Sequence, residues 1–140
     1  MMVNQRPSFL LEEKLTYKLR GIFIEISKQY GCLFKEKVYQ KLLVNEFNKN
    51  KIQFICYPNI PIFSLETGKK IGECYPDFLV NDKILIEVKA QNQILNNHIN
   101  QLLRYLNISK YEIGLLVNFG SPKVQIIRRI YTNDKKPFLK

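Results

Sequence analysis

Asp77, Glu87 and Lys89 are the residues of this chain best suited to chemistry. Two carboxylates can hold a hard divalent cation, and an amine beside them can meet charge that builds on an attacked centre. All three lie in Pro76-Asp77-Phe78-Leu79-Val80-Asn81-Asp82-Lys83-Ile84-Leu85-Ile86-Glu87-Val88-Lys89, where two apolar runs flank an Asn-Asp turn. That pattern predicts a β-hairpin. Alternate side chains of a strand share a face. Phe78, Val80, Ile84, Ile86 and Val88 therefore point to a core, while Asp77, Glu87 and Lys89 share the other face with Leu79 and Leu85. Two carboxylates about 4 Å apart repel by roughly 4 kcal/mol at an effective dielectric near 20, a large share of a domain's stability. A divalent cation offsets this better than a neighbouring ammonium, and oxygen ligands completed by water suit Mg²⁺ or Mn²⁺. On these three residues alone, a solvated hairpin edge with a Glu–Lys pair, and Asp77 as a turn residue, is the alternative.

Register decides whether the acids meet. A two-residue loop at Asn81-Asp82 pairs Asp77 with Ile86 and turns it away from Glu87. A three-residue loop of Asn81, Asp82 and Lys83 pairs Val80 with Ile84 and sets Asp77 opposite Glu87. The three-residue loop, or an equivalent bulge, is expected.

The surrounding elements must position this hairpin. Ser8 is a cap for a first helix running to about Tyr30, stopped by Gly31. Its buried stripe is Leu15, Leu19, Ile22, Phe23, Ile26 and Tyr30. A second helix, from about Phe34 to Asn50, is expected to bury Phe34, Val38, Leu42 and Phe47. Glu36, three residues before Tyr39 and seven before Leu43, sits beside that stripe. Residues 52–57 and 60–66 read as strands, the second at an edge because of Pro61. Thr67-Gly68-Lys69 is a turn into a strand ending at Asp77. A third helix over residues 95–109 has core positions Ile99, Leu102, Leu103 and Leu106. His98, Gln101 and Tyr105 form a polar stripe on it that can overhang the face of Glu87 and Lys89; a merely solvated helix side is the alternative. Strands over residues 112–119 and 123–131 follow, joined by Gly120-Ser121-Pro122. The order is α-α-β-β-β-β-α-β-β, one α/β domain over residues 1–140, with residues 1–8 and 132–140 expected to fray.

Composition narrows the function classes. Hydrophobic content of 46%, with eight Tyr and nine Phe, argues for an ordered core. No apolar run is long enough to span a membrane, so no membrane partner is expected. No signal-peptide apolar segment precedes Leu11-Glu12-Glu13-Lys14, so the expected location is cytoplasmic. Cys32, Cys56 and Cys74 are widely spaced and His98 is the single histidine, which argues against a disulfide framework or a zinc site. The net charge of +10 fits a polyanionic partner, most simply nucleic acid. Lys-, Asn- and Ile-rich composition of the kind an A/T-rich genome encodes is the competing explanation for that charge.

The sequence resembles the GxxExxY family, a branch of the PD-(D/E)XK nuclease superfamily, from about Leu15 to Ile130. Phe34-Lys35-Glu36-Lys37-Val38-Tyr39 looks like the namesake motif, and Pro76-Asp77 with Glu87-Val88-Lys89 like the superfamily's catalytic motif. His98-Ile99-Asn100-Gln101-Leu102-Leu103-Arg104-Tyr105-Leu106 and Gly114-Leu115-Leu116-Val117-Asn118-Phe119-Gly120 resemble the family's third helix and closing strand. Gly31-Cys32-Leu33 stands where the family usually has Gly-Pro-Gly, and Ile26-Ser27 where it often has Val-His. The resemblance implies a restriction-endonuclease-like core, a central mixed β-sheet flanked by helices. It implies a Mg²⁺- or Mn²⁺-dependent nuclease that hydrolyses DNA to a 5′-phosphate and a 3′-hydroxyl. Asp77 and Glu87 would ligate the metal, Glu36 would be a third acid, and Lys89 would act on the attacking water and the phosphorane. Gln101 and Tyr105 would steady the lysine, and His98 and Tyr105 would contact nucleic acid. A homodimer is compatible with it, since many superfamily members pair to engage both strands. A non-catalytic nucleic-acid- or partner-binding module on the same scaffold is the alternative.

Overall fold

The computed structural model describes residues 11–139, and two helices come first among them. The first, α1 (Glu13–Tyr30), buries Leu19, Ile22, Phe23 and Ile26, whereas Tyr30 at its last turn is exposed. Gly31 ends it at φ 73°, a left-handed conformation that favours glycine, and its N–H bonds the Ser27 carbonyl at 3.0 Å. Ser8 lies outside the described residues, as do residues 1–8 as a whole. The second helix, α2 (Glu36–Lys49), buries Tyr39, Leu43 and Phe47. Phe47 is buried as expected, but the two turns before it run one position from the expected stripe: Phe34 and Val38 are exposed and Leu42 is half-buried. The physical reason is Tyr39. Its ring stacks on Phe119 at 4.7 Å, and its hydroxyl bonds the Gly31 carbonyl at 2.6 Å.

The main sheet has five strands in the order β1-β4-β5-β6-β7: β1 (Phe54–Cys56), β4 (Phe78–Val80), β5 (Ile84–Lys89), β6 (Ile113–Asn118) and β7 (Gln125–Ile130). Only β5 and β6 pair in parallel, and α3 (Asn96–Ile108) makes the crossover between them. The sheet is therefore mixed and flanked by helices, as expected. A separate hairpin, β2 (Ile60–Phe63) with β3 (Lys70–Cys74), leaves Pro61 on a strand with one neighbour. The expected strand ending at Asp77 is broken: β3 stops at Cys74, and Tyr75-Pro76-Asp77 carries the chain from one sheet to the other. Pro76 has no N–H to continue a ladder.

Both faces of the main sheet are covered. Phe78, Val80, Ile84, Ile86 and Val88 pack with Ile113, Leu115 and Val117 under α1 and α2. Leu79 and Leu85 pack on the other side with Ile60, Cys74, Leu106 and Tyr111. The predicted parity holds throughout. On α3, Leu102 and Leu106 are buried, while Ile99 and Leu103 are half-buried. Burying each large apolar side chain contributes about 1.5–3 kcal/mol. No helix among the described residues is long and apolar enough to cross a membrane.

The C-terminal segment, expected to fray, packs back instead over its described residues. Two 3₁₀ turns, Asn133–Lys135 and Pro137–Leu139, flank Lys136, whose side chain is fully buried. Its Nζ donates to the carbonyls of Ser109 and Tyr111 at 2.9 and 2.7 Å. Burial lowers its pKa to about 8.

Gly114 sets how closely α3 lies on the sheet. A Cβ there would stand 2.6 Å from Leu102 Cδ1 and 2.9 Å from its Cγ. Gly114→Ala should therefore push Leu102 and α3 outward and cost about 1–3 kcal/mol, read as a lowered urea midpoint. An unchanged midpoint would show that α3 docks without this close approach.

Candidate active site

The hairpin closes with the three-residue loop. Val80 pairs with Ile84, Leu79 with Leu85 and Phe78 with Ile86, so Asp77 follows opposite Glu87. Asn81 and Asp82 both sit at φ 52°, a left-handed conformation these two residue types tolerate better than most. The Lys83 N–H closes the turn on the Val80 carbonyl at 3.0 Å.

Beyond the last ladder pair, the two acids take over the backbone groups themselves. Asp77 Oδ2 accepts the Val88 N–H at 2.7 Å, and Glu87 Oε1 accepts the Asp77 N–H at 3.2 Å. Each carboxylate thus keeps oxygens that these bonds do not use. Glu87 is 7% exposed, on the central strand of a sheet covered on both faces. Burial, then the Asp77 charge, pushes its carboxyl up to about 8, with Lys89 and the Asp77 N–H pulling the other way. Burial also raises Asp77, opposed by its bond from Val88 and by Lys89.

Lys89 is half-buried on the same strand face and is felt by Asp77, Glu87 and His98. Among the described residues it forms no salt bridge with either acid. The Glu–Lys pair of a solvated hairpin edge is therefore not formed. Its strand end is fixed by Asn118, paired with Lys89 in the register. Asn118 is fully buried, and its Oδ1 accepts from the N–H groups of Gln91 and Gly120. Its Nδ2 donates to the Gln91 carbonyl and to Gln125 Oε1. Gly120 is required here, because a Cβ would lie 2.3 Å from Gln91 N. Asn118 did not figure among the sequence candidates, although a polar residue closing an apolar strand next to a glycine was a visible signal.

α3 overhangs this face. Tyr105 is half-buried, and its hydroxyl is raised to about 12 by burial first and then by the charge of Glu87. Gln101 Nε2 donates to that hydroxyl at 2.9 Å, so its contact is with Tyr105 and no bond to Lys89 is formed. His98 Nδ1 accepts the Leu95 N–H at 3.1 Å at the start of the helix. With Asn97, Asn100 and Arg104, the His98, Gln101 and Tyr105 stripe lines a groove of about 550 Å³.

Glu36 does not join the two acids as a third member of a preformed cluster. Among the described residues no group of three or more His, Cys, Asp or Glu is arranged to hold a metal. Glu36 opens α2, which packs on the opposite face of the sheet from Glu87. Its charge still raises both Asp77 and Glu87. The remaining donor set fits Mg²⁺, which needs one or two carboxylates and keeps several waters.

A pH dependence follows for the metal-free protein. The folded state holds the Glu87 proton up to about pH 8, above the ordinary value of 4.5. Its contribution to stability is therefore complete below about 4.5 and is lost as pH rises to about 8. The melting temperature should fall across that window in chelator, and Glu87→Gln should flatten the fall. A wild-type profile that rises with pH there would contradict the burial of this acid.

The family model described as the PD-(D/E)XK nuclease superfamily matches residues 13–130. A comparison with curated proteins finds no match. Among solved structures, the chain is similar to an alkaline exonuclease (LHK-Exo) from Laribacter hongkongensis, at 14% identity and a TM-score of 0.47. That similarity covers 70% of this chain and 56% of the exonuclease chain.

Proposed function

Because the chain belongs to the PD-(D/E)XK nuclease superfamily, we propose that it is a metal-dependent nuclease that hydrolyses phosphodiester bonds of DNA. The observation that carries this is the convergence of a half-buried Asp77 and a buried Glu87 at the end of the β4–β5 hairpin, with Lys89 on the same strand as Glu87 and in no salt bridge with either acid. We also assign it to the GxxExxY branch, supported by Tyr39 tying Gly31 to the start of the helix that carries Glu36.

Asp77 and Glu87 would hold Mg²⁺ or Mn²⁺ through their carboxylate oxygens. When bound, the ion supplies a Lewis acid and a means of making a nucleophile at neutral pH. Lys89 then steadies the attacking water and offsets charge on the phosphorane. Glu36 adds negative potential from α2, reaching the site through water. Gln101 fixes the Tyr105 hydroxyl, so that α3 presents Tyr105 and His98 to the nucleic acid. The basic excess of the chain draws the substrate in.

A non-catalytic binding module is the second reading, favoured by the failure of Glu36 to complete a three-acid cluster. A cleavage assay separates the two. With Mg²⁺, wild-type protein should cut linear or circular DNA, and chelator should stop it. Nucleic-acid binding with no turnover on any substrate in Mg²⁺ or Mn²⁺ would favour the binding module.

A further inference from the structure

A groove of about 300 Å³ runs from Asp77 between α2 and the β1–β4 edge. We propose that it holds one unpaired nucleobase next to the scissile phosphate, so that the substrate is single-stranded or frayed at its end. This rests on the nuclease reading above and names its substrate class.

The groove combines the chemistry such a ligand needs. Val44 and Phe78 give it an apolar lining, and Lys37 and Lys41 line it too, where they complement a phosphate backbone. Tyr57 supplies an aromatic wall. The residue stays 55% exposed, yet it is tied at both ends: the hydroxyl donates to Gln40 Oε1 at 2.9 Å and the backbone N–H to the Asp77 carbonyl at 2.9 Å. Its backbone lies at φ 50°, an uncommon conformation for a bulky residue. A ring held in place but left uncovered suits base stacking. Gln40 lines the same groove, and its amide N–H groups have no partner among the described residues, so they can meet a base edge. A base inside a duplex is stacked on both faces and paired at its edge, so it cannot enter. Asp77 lines this groove and also bonds Glu87, so a nucleotide held in the groove lies next to one of the two acids.

Binding in chelator tests this without turnover. A fluorescent single-stranded 12-mer, a blunt duplex of the same sequence and a 12-mer of abasic spacers are titrated by anisotropy. Wild type should bind the single strand more tightly than the duplex or the abasic strand. Tyr57→Asn removes the ring while tolerating the left-handed backbone. It should lose about tenfold on the single strand, the scale of one base stack. It should lose little on the duplex and the abasic strand. Tyr57→Phe keeps the ring and loses only the tie to Gln40, so its loss on the single strand should be clearly smaller than that of Tyr57→Asn. Equal affinity of wild type for the normal and abasic strands, or equal losses by Tyr57→Asn on all three, would overturn the proposal. Selective single-strand binding together with absent cleavage in Mg²⁺ would keep the groove and remove the nuclease.

Discussion

Asp77→Asn or Glu87→Gln is expected to abolish both divalent-metal binding and DNA cleavage while leaving the metal-free fold intact. Each amide is close in shape to the acid it replaces and keeps an oxygen able to accept the bond that the acid makes, from Val88 N–H in one case and Asp77 N–H in the other. What each loses is charge, and with it a hard anionic ligand. Burial and mutual repulsion make the paired acids costly without a cation, as the raised Glu87 carboxyl records. Glu87→Gln should therefore gain roughly 1–3 kcal/mol at pH 8 in chelator, the scale of an uncompensated buried polar group. Isothermal titration with Mn²⁺ and thermal melts on the same samples read both effects. A variant that unfolds yet still binds metal would make the pair structural.

The second large effect is expected at Lys89, where binding and catalysis separate. Its ammonium acts on both acids and ion-pairs with neither. Lys89→Ala should leave Mn²⁺ affinity unchanged or higher, since a competing cation is gone. Single-turnover cleavage should slow by roughly 10²-fold or more, the scale of losing one group aimed at developing charge. Nucleic-acid affinity should fall only modestly, because the other basic residues maintain the field. Full cleavage with lost DNA binding would make Lys89 an ordinary phosphate contact.

The site was more legible in the sequence than the layers around it. Hairpin register follows from local facts: side-chain parity, and two residues at the turn that tolerate a left-handed backbone. Ahead of Phe47, local spacing could not choose between Phe34, Val38 and Leu42 and the adjacent stripe of Tyr39 and Leu43 on α2. Phe119, eighty residues further on, decides it by stacking on Tyr39. Sheet membership is equally non-local, so the change of sheet at Tyr75-Pro76-Asp77 was hidden in what read as one strand. Lys136 looked like part of a charged tail because its partners are two backbone carbonyls, which leave no trace in side-chain chemistry. The Asn118 network escaped for a related reason, since it joins backbone groups of the Gln91 loop to Gln125 across three segments.

The most direct test of the metal site is an anomalous difference map from crystals grown with Mn²⁺ at pH 8. A peak is expected within roughly 2.0–2.6 Å of carboxylate oxygens from both Asp77 and Glu87, and it should vanish in Glu87→Gln crystals. Mn²⁺ bound elsewhere, with the Asp77–Glu87 site empty in the same map, would contradict the assignment of this pair as the metal ligands.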